Sequence, residues 1–73
     1  QDVNLYASTI RNGDKLTFTP AENRGVWIQV AKGSILVDGD LLNEGDGLAI
    51  EGEPSIEIQG HETTGEILLF DLA

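Results

Sequence analysis

Apolar and polar residues alternate along most of this chain with a period of two. That spacing puts successive side chains on opposite faces of a β-strand. The pattern is clearest over residues 26–50, VWIQVAKGSILVDGDLLNEGDGLAI. Val26, Ile28 and Val30 alternate with Trp27, Gln29 and Ala31; Ile35 and Val37 resume the pattern after Gly33, and Leu48 and Ile50 after Gly47. Asp38-Gly39 fits a tight hairpin turn, because glycine takes a positive φ without a Cβ clash. The spacing predicts further strands at residues 3–10, 15–19, 40–42, 55–59 and 66–72. Asn12-Gly13-Asp14, Asn43 to Asp46, and Gly52-Glu53-Pro54 separate them as turns. Residues 20–24 and 61–65 read as loops, and Pro20 cannot donate to a strand ladder.

No stretch of helical length carries an i, i+3, i+4, i+7 apolar stripe. Eight short strands with regularly spaced turn signals predict an all-β fold: a small antiparallel β-barrel or sandwich, formed as one domain over residues 1–73. Leu16 and Phe18, the Val26 and Ile35 sets, Leu48 and Ile50, Ile56 and Ile58, and Ile67 and Leu69 are the expected inner layer.

The last strand departs from the pattern. If Ile67 and Leu69 face the core, then Leu68, Phe70 and Leu72 face outward, and Trp27 and Leu36 also fall on the outer side of their strands. A strand apolar on both faces is covered on both faces. A domain of 73 residues has little of its own to lay over the second face. Leu68, Phe70, Leu72 and Trp27 are therefore expected to pack against a second chain, most simply a copy of this one in a homodimer. The alternative is that Phe70 or Trp27 lies under a loop of the same chain.

Charge narrows the partners. Thirteen acids against four Lys and Arg give a net charge of −9. Such a surface repels phosphate backbones and argues against nucleic acid. The acids are scattered singly and read as a solubilising surface. No apolar run approaches a membrane span, the longest being residues 67–70. The chain has no Cys, which fits a reducing compartment, and the cytoplasm is the expected location. It opens at Gln1 without a Met, so a trimmed start, disorder before this point or a piece of a longer protein is expected.

Candidate chemistry is sparse. His61 is the single histidine and sits in a polar loop beside Glu62. It reads as a solvated side chain, the functional alternative being a general base oriented by Glu62. No Cys and no G-x-S-x-G supplies a nucleophile. Residues 38–47, DGDLLNEGDG, are acidic and Gly-rich, but Leu42 and Asn43 stand where a calcium loop needs an oxygen ligand and a glycine. They read as two turns with a strand between. Trp27, Gln29, Arg24 and Tyr6 are the candidate set for lining a barrel mouth around a small ligand. Trp and Arg are equally the residues that anchor protein interfaces. On the strong strands the alternation places no acid inward, so no catalytic residue is assigned.

Several of these features together resemble a known family. They are the opening at residues 2–8, Trp27-Ile28-Gln29-Val30, Gly33, Gly39, the Gly45-Asp46-Gly47 turn and the Leu68-Leu69-Phe70-Asp71-Leu72 ending. They are similar to the C-terminal half of bacterial pirin-like proteins, the two-domain bicupins often called quercetin 2,3-dioxygenase-like. The resemblance covers essentially the whole chain and implies a cupin-like barrel. Metal-dependent cupins of this kind carry two His spaced by one residue, then a Glu, before the glycine that Gly33 resembles, and a further His after the glycine–aspartate turn. Here Trp27, Gln29 and Lys32 occupy the first stretch, and no His follows Gly47 before Ser55. The resemblance therefore implies no metal and no cofactor in this chain, the metal motif belonging to the N-terminal half of the family. The expected function is association, with itself or a protein partner. The alternatives are a small-molecule-binding or metal-independent catalytic cupin, or the non-catalytic half of a quercetinase-like dioxygenase.

Overall fold

A computed structural model describes residues 3–73. Its strands are β1 (Val3–Ile10), β2 (Lys15–Phe18), β3 (Gly25–Lys32), β4 (Ser34–Val37), β5 (Asp40–Asn43), β6 (Gly47–Glu51), β7 (Ile56–Gly60) and β8 (Gly65–Leu72). They form two antiparallel sheets of order β1-β8-β3-β6 and β2-β7-β4-β5. Chain neighbours β1 and β2 lie in different sheets, as do β7 and β8, so the two sheets face each other as a jelly roll. The expected all-β architecture is present as a sandwich of two sheets and not as a closed barrel. Strand bounds differ from expectation by one residue at β2, β5, β7 and β8.

Local chemistry explains the connections. The β4–β5 hairpin turns on Asp38 and Gly39, with φ of 48° and 88°. Two successive left-handed residues match the twist of a two-residue hairpin. Aspartate tolerates that region because its short side chain bonds nearby backbone. Here the Asp38 carboxylate accepts the Glu57 amide at 2.9 Å, which ties the hairpin to β7. The β5–β6 turn closes similarly, the Asp46 carboxylate accepting the Asn43 amide at 2.8 Å. Gly33 joins β3 to β4 at φ 69°, and a side chain there would run into the Thr64 carbonyl. The family-like glycine is thus required for backbone to pass close to backbone.

The inner faces supply the core. Val26, Ile28 and Val30 of β3, Ile35 and Val37 of β4, Ile56 and Ile58 of β7, and Ile67 and Leu69 of β8 are buried. Each such side chain contributes about 1.5–3 kcal/mol by leaving water. Phe18, Leu48 and Ile50 pack against this cluster while half-buried. Leu16 faces inward on the edge strand β2 as expected but stays 36% exposed. Ile10 and Leu42 belong to the core although the alternation did not single them out. Ile10 pairs with Gly65, where any side chain would run into Ile35 and the Ser34 carbonyl, and Leu42 sits opposite Ile35.

Candidate functional site

Four places hold the residues that sequence chemistry singles out, and the structure keeps them apart. The first is the outer face of the β1-β8-β3-β6 sheet. Register lines its side chains up in rows across all four strands: Val3–Leu72–Gly25–Glu51, Leu5–Phe70–Trp27–Ala49 and Ala7–Leu68–Gln29–Gly47. The middle row is apolar from edge to edge. Val3 and Leu5 are more than half exposed, and Trp27 and Leu72 are exposed at 38% and 36%. Leu68 and Phe70 are half-buried by their neighbours in the sheet. The four expected interface residues thus share one surface. Sequence reasoning missed Val3, Leu5, Ala7 and Ala49. Their signal was present in β1, where V-x-L-x-A occupies one face and Asn4, Tyr6 and Ser8 the other.

Trp27 is held in place on this face. Its indole lies over Gly47 of the edge strand β6, where any side chain would collide with the ring. Its Nε1–H donates to Gln29 Oε1 at 3.3 Å. Gln29 Nε2 in turn donates to the carbonyls of Gly45 and Asp46, each at 3.1 Å. The glutamine therefore acts as a strut between an aromatic ring and the β5–β6 turn. A ring fixed this way loses less conformational entropy when a partner covers it.

Arg24 stands at one end of the sandwich and not with Trp27 and Gln29. Its Nε donates to Asp71 Oδ1 at 2.7 Å, and its Nη2 donates to the Asp71 carbonyl at 3.0 Å. Asp71 has the same parity as Ile67 and Leu69 and is buried at 7% exposure. This corrects the expectation that the strong strands place no acid inward. A buried carboxylate is tolerated where a guanidinium neutralises it. Arg24 also borders an open cavity of about 530 Å³ formed by the β2–β3 and β6–β7 loops, with Glu22, Glu51 and Glu53 on its walls.

Tyr6 lies elsewhere again. It faces inward on β1, opposite Leu69, with its ring centroid 5.9 Å from that of Phe18 on β2. Trp27, Gln29, Arg24 and Tyr6 therefore do not line one mouth. His61 sits half-buried in the β7–β8 loop and makes no hydrogen bond or ion pair with Glu62 among the described residues.

A first-row metal needs three or four converging N, O or S ligands. Among the described residues no group of three His, Cys, Asp or Glu converges in this way, and the inward positions of β2 are Leu16 and Phe18. The residues do not fit such an ion. Among the described residues no helix is long and apolar enough to cross a membrane.

Comparison with known proteins supplies the family. The family model described as the quercetinase C-terminal cupin domain matches residues 1–72. Quercetin 2,3-dioxygenase of Escherichia coli K12 is 39% identical over 72 residues, which are 99% of this chain and 31% of that protein. The crystal structure of YhhW from Escherichia coli superposes with a TM-score of 0.93 at 38% identity, over 100% of this chain and 31% of the other. A second structure of bacterial pirin YhhW, in complex with nickel(II), gives 0.92 at 39% identity, over 99% of this chain and 31% of that one. A cupin protein from Bacteroides fragilis shares the fold at 14% identity with a TM-score of 0.76, over 99% of this chain and 66% of that one. The chain thus spans about a third of the length of its quercetin 2,3-dioxygenase relatives. A chain matched from residue 1 to residue 72 by that model, with the jelly-roll topology and glycine turns to go with it, belongs to the quercetinase C-terminal cupin domain family.

Proposed function

We propose that residues 1–73 form one cupin-like domain that acts by association and carries no catalytic group of its own. The observation that carries this reading is the outer face of the β1-β8-β3-β6 sheet. It has an apolar centre at Leu5, Phe70 and Trp27, with Glu51 and Glu66 confined to its ends. An apolar centre and a charged rim is the anatomy of a protein interface. The chain measures 34 × 19 × 15 Å, so its broad face approaches one side of a standard interface, about 800 Å². Trp27, already fixed by Gln29, is the anchor. The occupant is the same face of a second copy, related by a twofold axis, so that two apolar rows meet. In keeping with a Cys-free chain, the proposed location is the cytoplasm.

A second reading rests on length. The relatives are about three times as long as this chain. Where the domain is part of such a polypeptide, the same face docks the remainder of its own chain, which would hold any metal chemistry. This domain would then be the non-catalytic part of a quercetinase-like protein.

Sedimentation of the chain over the micromolar range tests the first reading. A dimer is expected, and Leu5→Ser or Phe70→Ser should return it to a monomer. A wild-type monomer at the highest concentrations would overturn self-association and leave the second reading standing.

A further inference from the structure

We infer that the gap between β1 and β2 is a binding slot for a small, uncharged, mainly apolar molecule. β1 is the edge of one sheet and β2 the edge of the other, and no strand pairing bridges them. The space between the sheets opens there into a cavity of about 350 Å³. That size falls within the usual range of small-molecule pockets, about 300–1,000 Å³. Its floor is core: Ile58, Ile67 and Leu69, exposed at 0%, 3% and 4%. Its β2 wall is Leu16 and Phe18, which would be the natural lid of this core and yet leave it open.

The strand β1 makes the opening. Its inward residues Tyr6 and Ser8 stand opposite Leu69 and Ile67, positions that on β3 are filled by Ile28 and Val30. A strand serving only the core would put aliphatic side chains there. Instead two hydroxyl-bearing residues, Tyr6 at 49% exposure and the half-buried Ser8, line the apolar slot, and neither has a hydrogen-bond partner among the described residues. Apolar walls with a few uncommitted polar groups are what orient a bound small molecule. Charge fixes the ligand class. Thirteen acids and four Lys and Arg are spread over 73 residues, but among the described residues none lines the slot. An anion is repelled by the net charge of −9, and a cation finds no carboxylate inside. A neutral body with one hydrogen-bonding group, directed at the Tyr6 or Ser8 hydroxyl, fits both constraints.

The test titrates the whole chain with N-phenyl-1-naphthylamine, a neutral fluorescent probe, and with anilinonaphthalene sulfonate, its anionic counterpart. Saturable binding of one neutral probe per chain is expected, with the anion bound at least about tenfold more weakly. Amide chemical shifts should move at Tyr6, Ser8, Phe18 and Ile58. Leu16→Trp should fill the slot and abolish binding with little change in the unfolding midpoint, because Leu16 is already 36% exposed. Tyr6→Phe, which keeps the ring and the fold, should weaken binding about three- to tenfold, the effect of one net hydrogen bond. Lack of saturation, equal affinity for the anion, or shifts confined to Leu5, Trp27 and Phe70 would each overturn the inference.

Discussion

The two sheets of this sandwich present opposite outer faces. On the β2-β7-β4-β5 sheet, register sets Lys15 beside Gln59 and Thr17 beside Glu57, and Lys15 Nζ lies 3.5 Å from Glu57 Oε2 in solvent. Apolar residues are limited to Leu36 and Leu41, which face each other at one edge. On the β1-β8-β3-β6 sheet, the central row runs Leu5, Phe70, Trp27 and Ala49 without a polar side chain. Both sheets bury the same kind of Ile and Val face against each other. The demands of the core therefore cannot explain the difference between their backs. One back is made for water. On the proposed reading, the other is suited to a cover from outside these residues.

Substitutions on the two faces of one strand break this comparison most sharply. Ile28→Ala removes a fully buried side chain and should cost about 3 kcal/mol in urea unfolding. Its neighbour Trp27→Ser, on the outer face, should leave the stability of the isolated chain within about 1 kcal/mol but abolish its concentration dependence. Equal losses at the two positions would mean that the Trp27 face is covered within the chain itself. The next effect is at the buried ion pair. Asp71→Ala removes the carboxylate that the Arg24 Nε–H binds and should cost roughly 2–3 kcal/mol in the same assay. That loss should appear equally in dimer and monomer, since the Asp71 carboxylate faces away from the proposed interface. Gln29→Ala sharpens the role of the anchor. It frees the Trp27 indole and should weaken association about fivefold, read by sedimentation, with a small change in stability. The smallest effect lies on the other back. Lys15→Ala should change stability by less than about 0.5 kcal/mol and association not at all, because its ion pair is exposed.

Much of the fold was legible in the sequence because one physical rule generates it. Alternation at Val26, Ile28 and Val30, at Ile35 and Val37, and at Ile56 and Ile58 translates directly into one buried face. Asp38-Gly39 marks the hairpin for a similar reason, since both residues take the left-handed backbone that the turn requires. What alternation could not show is which strands lie side by side. The rows joining Leu5 to Phe70 and Phe70 to Trp27 depend on β8 lying between β1 and β3, a pairing of chain ends that no local pattern encodes. Leu68, Phe70, Leu72 and Trp27 were visible as misplaced apolar residues, whereas Val3 and Leu5 needed the sheet order to be recognised. Asp71 was hidden by the assumption that acids point outward. Its parity with Leu69 gave its direction, but its partner Arg24 is 47 residues away. Tyr6 was grouped with Trp27 and Arg24 on residue type alone, and sheet geometry separates the three.

Trp27 is the only tryptophan of the chain, and it stands in the middle of the proposed interface. Its fluorescence on serial dilution is therefore the most direct measurement. The emission should lie at short wavelength and resist acrylamide quenching at high concentration, then shift to the red and become quenchable as the dimer separates, with the sedimentation coefficient falling over the same range. A red-shifted, freely quenched spectrum that is the same at every concentration would show that water, and no second copy, covers this sheet.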